Sequence, residues 1–416
     1  MSKYVRQLTR EAKISSYKLI NLSSKEKNRA LKIMAEDIIG NRALLIKENT
    51  KDLERALKNN LSQSSLDRLK LTQERVIAMS NSLKAVADLK DPVGEIISST
   101  IRPNGIVLEK VRVPIGVVLI VYEARPNVTS DCCGLLFKTS NVGILRGGRD
   151  AYYSNRAIAG ILNRSIKKAG INFSPFFLVE KSDYSTVEAL LKQNEAIDLV
   201  IPRGGESLIR KVVETSTIPV IKHYKGVCHI FVDKYGDLKK ALDICVNAKV
   251  QRPSVCNAVE TILVHKDVAK KFILALKEKF DSLGVEIRAD CKSREIVKGF
   301  KKALSKDWSQ EYLDLTVSLK IVDTIEEAID HINLYGSHHT ESIISKNNKR
   351  AAKFVKEVDS ACCFINMSTR FSDGFEFGLG AEIGISTDKL HARGPMGLKE
   401  LTTYKWIGRG QGQIRT

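Results

Sequence analysis

The chain has 416 residues and a formal net charge of +19, and is 28% charged and 43% hydrophobic. That length suits two or three domains of ~100–200 residues each, and no stretch approaches the ~20 apolar residues a bilayer span requires. The polar start MSKYVRQLTREAK lacks the apolar core of a signal peptide, so a cytoplasmic protein without a membrane role is expected.

Residues 1–90 carry apolar residues at three- and four-residue spacing and read as a helical layer. Ser23 or Ser24 has the chemistry of an N-cap, with Glu26 placed to serve the first turn. After Asp91–Pro92 the pattern changes. IRPNGIVLEKVRV (101–113) alternates apolar and polar residues around Asn104–Gly105, which marks a β-hairpin.

Residues 115–232 alternate short apolar runs with helical segments. IGVVLIVY, NVGILR, FFLV, IDLVI and PVIK read as strands, with helices between them near 151–169, 184–192 and 206–215. Continuous apolar strands separated by helices imply a parallel sheet covered on both faces. Ligands of such sheets lie beyond the carboxyl ends of the strands, which singles out the loops ARPN, RGGR and PRGGES. From residue 227 the style repeats through VCHIFVD, ETILVH, SLKIVD and TESIIS; residues 284–310 are lysine-rich and weakly patterned.

The positive charge is spread over segments such as KKFILALKEKF and KGFKKALSK, read as solvated helix faces. Without an arginine-rich tail or interleaved aromatics, nucleic acid is not the expected partner. A basic surface does draw anionic small molecules inward. The eight cysteines include two adjacent pairs and no C-x-x-C. No His/Cys group has metal-ligand spacing, so reduced thiols and no metal are expected.

Cys256 stands apart from the other thiols. Its setting, QRPSVCNAVE, is polar, with Arg252 four residues upstream as a permanent charge, whereas Cys245 sits in apolar ALDICVNA. A thiolate is the reactive form and needs a cation or aligned dipoles nearby. A plain polar-loop cysteine remains the alternative at this point. The triplets Arg146, Gly147, Gly148 and Arg203, Gly204, Gly205 each end a strand and precede a helix, a setting for anions at a helix N-terminus. Neither is a G-x-G-x-x-G fingerprint, and double glycine also makes a plain tight turn. Asn127 offers an uncharged donor for an oxyanion or a helix cap. His223, His229, His338 and His339 read as structural histidines.

With these segments in place, the chain resembles the gamma-glutamyl phosphate reductases (glutamate-5-semialdehyde dehydrogenases), a branch of the aldehyde dehydrogenase superfamily. The matching segments are PIGVVLIVYEARPNVT, ILRGG, IDLVIPRGG, KGVCHIFVD, NAKVQRPSVCNAVET, INMSTRFSDG and EFGLGAEIGISTDKLHARGPMGLKELTTYK, covering about residues 110–405. The resemblance implies an α/β fold of two Rossmann-like domains with parallel-rich sheets and a small β oligomerisation ribbon. The cofactor domain would comprise 1–100 and 114–227, the catalytic domain 228–400, and the ribbon 101–113 with 401–416, pairing across subunits in a dimer or higher homo-oligomer.

The reaction it implies is NADPH-dependent reduction of L-glutamyl 5-phosphate to L-glutamate 5-semialdehyde in proline biosynthesis, with glutamate kinase as a further partner. By position Cys256 matches the nucleophile and Asn127 the oxyanion asparagine. Arg146, Gly147 and Gly148 match the adenosine ribose and 2′-phosphate site. Arg203, Gly204 and Gly205 match the diphosphate and nicotinamide loop, and Glu311 the nicotinamide-ribose glutamate. Arg125, Arg252, Thr369 and Arg370 are candidates for the ends of the substrate. The general-base glutamate of oxidising relatives falls near Lys222–His223 here, so the base that activates water is missing. Tyr224, Lys225 and Ser140 depart from the reductase pattern, Ser140 standing where glycine is common. The rival readings are a broad aldehyde dehydrogenase making carboxylic acids and a basic nucleic-acid-binding protein.

Overall fold

The computed structural model describes residues 3–415 apart from Ala124 and Ser182. It forms two compact units. The first comprises residues 1–222, 378–384 and 396–416, the second 223–377 and 385–395. The second unit therefore begins at His223 rather than at 228. Residues 378–384 and 396–400, expected in the catalytic domain, belong to the first unit, and so does the ribbon.

The first unit opens with the expected helices, Lys3–Leu19, Ser24–Gly40, Arg42–Lys58, Gln63–Leu69 and Gln73–Asp88. Ser23 is the N-cap, and Ser23 with Glu26 completes a reciprocal capping box, a device worth ~1 kcal/mol. Beneath these helices lies a four-stranded sheet in the order Phe176–Leu178, Val142–Gly147, Val117–Tyr122, Leu199–Arg203. All its pairings are parallel. PVIK contributes only a single bridge, Val220 to Val200, because Pro219 opens the run and its neighbours leave extended pairing at once.

Ser140 has φ +57, the left-handed region that favours glycine. Its hydroxyl accepts a hydrogen bond from the buried Lys27 Nζ at 2.9 Å, which offsets the strain.

The ribbon is a three-stranded antiparallel sheet of Ile96–Ile101, Val107–Pro114 and Thr402–Arg409. Its first strand starts at Ile96, earlier than the sequence pattern suggests, because IISST lacks alternation. The turn is as read: Gly105 has φ +83 and its N–H donates to Arg102 O at 2.8 Å. The third strand comes from the same chain. The ribbon thus needs no partner subunit to exceed two strands, which corrects the expectation that the terminal strand must pair across subunits.

The second unit is built on a seven-stranded parallel sheet. The order is Lys301–Lys302, Glu286–Ala289, Thr316–Val322, Val259–His265, Cys228–Val232, Thr340–Ile344, Cys362–Ile365. Side-chain alternation explains its unbroken apolar runs. Ile230, Val232, Ile262 and Val264 pack with Phe272, Leu276 and Phe280 on one face. Phe231, Leu263 and Ile343 pack with Ile329, Ile332 and Phe354 on the other. A sheet covered on both sides favours apolar residues in its central strands, and the polar exceptions there, among them Glu260 and Glu341, are buried and paired.

Residues 284–310 are ordered, contrary to the weak pattern. Glu286–Ala289 and Lys301–Lys302 form the edge of the sheet, with Cys291–Ile296 as a short helix between. KGFKKALSK is therefore not a helix face. Charged edge strands are short and carry little hydrophobic signal; here Arg288 pairs with Glu286 at 2.9 Å and Asp307 at 2.8 Å.

Candidate active site

In the first unit, strand order 3-2-1-4 reverses beside the first strand, Val117–Tyr122, the switch point at which such sheets bind ligands. Glu123 and Asn127 follow that strand, and Arg203, Gly204 and Gly205 follow its neighbour. Asn127 lies in the first turn of helix Pro126–Lys138, exposed, with Nδ2 donating to Asp131 Oδ2 at 3.0 Å. Burial pushes the Asp131 carboxyl up to about 6, against hydrogen bonds from Asn127 and Ser82. Arg125 is the exposed N-cap of the same helix.

The second triplet meets a carboxylate of its own chain. The Gly205 N–H, at the start of helix Glu206–Thr215, donates to Glu123 Oε2 at 2.8 Å. A protein carboxylate therefore already occupies this helix N-terminus. A Cβ on Gly204 would crowd that same carboxylate and the end of Leu208. Arg203 lies against Gly384, where a Cβ would overlap its guanidinium.

The first triplet ends the second strand. Dinucleotide folds place a carboxylate there for a free ribose 2′-OH, or an arginine for a 2′-phosphate. Here the strand Val142–Gly147 ends on Arg146 and Gly147. Burial and the neighbouring Arg149 both lower the affinity of the Arg146 guanidinium for its proton. Two mutually repelling guanidiniums are a fitting seat for a phosphate dianion. Gly147 leaves no room for a side chain against Asn155 and Tyr122.

The thiol chemistry lies in the second unit. All eight cysteines are free. Burial pushes Cys132 up to about 12 and raises Cys133, Cys228 and Cys245 strongly, which keeps those thiols protonated. Cys256 is only half-buried and sits in the turn that leads into strand Val259–His265. Gly226 passes so close that a Cβ there would overlap the Cys256 carbonyl. The Gly226 N–H donates to Glu311 Oε1 at 2.9 Å, so Glu311 reaches the cysteine loop through Gly226. Lys225 Nζ donates to Ser309 O at 2.9 Å, clamping the same segments together.

Behind the loop, Lys249 and Glu260 form a fully buried ion pair at 2.7 Å. Burial still pushes the Glu260 carboxyl up to about 7, against the pull of Lys249. Arg370 donates through Nε to Gln251 Oε1 at 2.8 Å and through Nη1 to Asn257 Oδ1, bracketing Cys256 in sequence. Its guanidinium interacts electrostatically with Arg252 and Cys256. Thr369 is fully buried and its hydroxyl has no hydrogen-bond partner among the described residues. Of the neighbouring pair, Arg370 engages the cysteine loop.

Two histidines read as structural belong to this site. A ring nitrogen of His223, Cys256 Sγ and a ring nitrogen of His339 all lie within 4.8 Å of one another. The topology is the reason: strands Val259–His265, Cys228–Val232 and Thr340–Ile344 are neighbours. The residues that enter all three strands meet at the amino edge of the sheet, opposite to the usual carboxyl-edge site. The signal in the sequence was that KHYKG, PSVCNA and GSHH each precede an apolar run directly.

The model of the aldehyde dehydrogenase family matches residues 35–294. Gamma-glutamyl phosphate reductase of Caldanaerobacter subterraneus subsp. tengcongensis is 52% identical over 406 residues, 98% of this chain and 98% of the relative. The reductase of Geobacter metallireducens is 50% identical over 100% of this chain and 99% of its own. The crystal structure of gamma-glutamyl phosphate reductase from Thermotoga maritima superposes with a TM-score of 0.96 at 43% identity, covering 99% of this chain and 100% of that one. An acetylating aldehyde dehydrogenase from Geobacillus thermoglucosidasius shares the fold at TM-score 0.72 and 15% identity. No helix among the described residues is long and apolar enough to cross a membrane.

Proposed function

The chain belongs to the gamma-glutamyl phosphate reductase branch of the aldehyde dehydrogenase family, and from this we propose that Cys256 carries the reduction of L-glutamyl 5-phosphate to L-glutamate 5-semialdehyde in proline biosynthesis. The observation that carries the reading is a half-buried thiol in a loop that Gly226, itself held by Glu311, packs against and that Arg370 hydrogen-bonds at Gln251 and Asn257. The Cys256 thiolate attacks the acyl phosphate and inorganic phosphate leaves, forming a thioester. A bound nicotinamide cofactor would supply the hydride that reduces this thioester, and the thiohemiacetal so formed on Cys256 collapses to the aldehyde and free thiolate. The Cys256 backbone N–H serves as an oxyanion donor, an interaction worth ~2.7–4 kcal/mol in comparable sites, and Asn127 is the asparagine that matches the family's second donor. Eight free thiols suit a reducing compartment, the cytoplasm.

The histidine cluster contains no carboxylate. His223 stands where an oxidising relative's general-base glutamate would fall, and its Nδ1–H is committed to Ile385 O at 2.8 Å. Run in reverse, the acyl-phosphate chemistry of the family predicts that the semialdehyde is oxidised only when inorganic phosphate is present to take the acyl group. Substantial nicotinamide reduction in phosphate-free buffer, with free glutamate as product, would favour the rival aldehyde dehydrogenase reading.

For the cofactor, Arg146 and Arg149 favour NADPH over NADH. Arg146→Ala should erode the ratio of kcat/KM for the two cofactors by about tenfold or more, the value of one charge-assisted contact, with kcat at saturating NADPH little changed. Equal kcat/KM for both cofactors in the unmodified enzyme would refute this. The ribbon is the proposed homo-oligomer surface. Ile101, Tyr404 and Trp406 stand 74%, 49% and 59% exposed on it, an apolar display that water disfavours. Light scattering should give a dimer or larger, and a monomer at micromolar concentration would contradict it.

A further inference from the structure

The His223–Cys256–His339 cluster has a composition that the reduction of an acyl phosphate does not call for. One sulfur and two imidazole nitrogens converge within 4.8 Å, half-buried at Cys256 and His223 and fully buried at His339. This is the donor set of borderline-soft divalent cations, and it is a poor one for Mg2+ or Ca2+, which take oxygen.

The surroundings are also those of metal-binding histidines, whose second ring nitrogen is held by a carbonyl or other polar group. His223 Nδ1 lies 2.8 Å from Ile385 O; a carbonyl only accepts, so Nδ1 carries the hydrogen and Nε2 keeps its lone pair. His339 Nδ1 lies 2.9 Å from Thr340 Oγ1. Tetrahedral zinc with ~2.3 Å to sulfur and ~2.0–2.1 Å to nitrogen sets donors ~3.4–3.6 Å apart. Side-chain rotation of ~1 Å closes the present spacing. Cys228 Sγ lies 3.6 Å from His339 Nδ1 but is not among the three donors that converge. The Arg370 charge opposes a dication here, and Asp373 beside it offsets that charge.

We propose that His223, Cys256 and His339 bind one Zn2+-class cation that blocks the nucleophile reversibly. The thiol proton goes to solvent as the S–metal bond forms, with no change of oxidation state, and the fourth position is left for water.

The test uses reduced, full-length protein and zinc alone, with affinity read by competition with a chromogenic chelator. Reactivity is read by the rate of Cys256 alkylation with iodoacetamide. One zinc per chain should bind, stoichiometric zinc should suppress alkylation, and EDTA should restore it. Millimolar Mg2+ should do nothing. His223→Gln and His339→Gln should each weaken zinc binding by at least the ~10–100-fold that loss of an outer-shell partner costs. His339 is fully buried and its variant is open to misfolding, so half-exposed His223 decides: wild-type zinc affinity in His223→Gln, or equal protection by Mg2+, overturns the proposal. No readout requires turnover, so this inference and the reductase assignment fail separately.

Discussion

Cys256→Ala lowers kcat for semialdehyde formation by on the order of 10⁴–10⁶-fold, the range seen when the nucleophile of a covalent mechanism is removed. Cys256→Ser falls nearly as far, because a hydroxyl at neutral pH is almost wholly protonated and a far weaker nucleophile. The fold is untouched. Cys256 lies half-buried in a loop and its side chain is small, so a denaturant midpoint near the wild-type value separates lost chemistry from lost structure. Rapid-quench measurement in the phosphate-dependent reverse direction supplies the check. Near-normal turnover by both variants would sink the covalent mechanism.

Gly226→Ala is the second large effect, at a position that touches no substrate in the mechanism. A methyl there would overlap the carbonyl oxygen, carbonyl carbon and Cα of Cys256. Those atoms are backbone and cannot swing aside. Gly226 cannot retreat either, because Glu311 holds its N–H at 2.9 Å. The relief is a shift of the cysteine loop of about 1 Å, a displacement that costs on the order of 100-fold in rate. The alkylation rate of Cys256 and kcat should fall together, while KM for the nicotinamide cofactor stays near wild type. An alanine variant with wild-type kcat would show that the loop tolerates the shift and that the close approach is incidental.

Legibility in the sequence followed the strength of local signals. The helical layer, its Ser23 cap and the central strands of both sheets were readable, because apolar periodicity and capping chemistry act over a few residues. Edge strands were not. Glu286–Ala289 and Lys301–Lys302 are charged and short, and they are strands only because Thr316–Val322 offers them a partner. Ile96–Ile101 likewise begins before any alternation, since pairing with Val107–Pro114 sets its extent.

For the site, the sequence by itself singled out Cys256 as the proposed nucleophile. A cysteine in a polar loop beside Arg252, set against apolar surroundings for Cys245, is a contrast between near neighbours in the chain. It also placed Arg146 at the end of a strand, the position from which a phosphate contact is proposed. Tertiary structure alone decided the company Cys256 keeps. His223, Gly226 and His339 are 33, 30 and 83 residues away from it in sequence. They meet because three strands are neighbours in one sheet and the residues entering those strands share its amino edge. It also decided that Glu123 fills the helix N-terminus at Gly205 and that Thr369 is sealed inside. Residue type and spacing report what a side chain can do. Strand order, set by the packing of both sheet faces, fixes which side chains are near enough to do it.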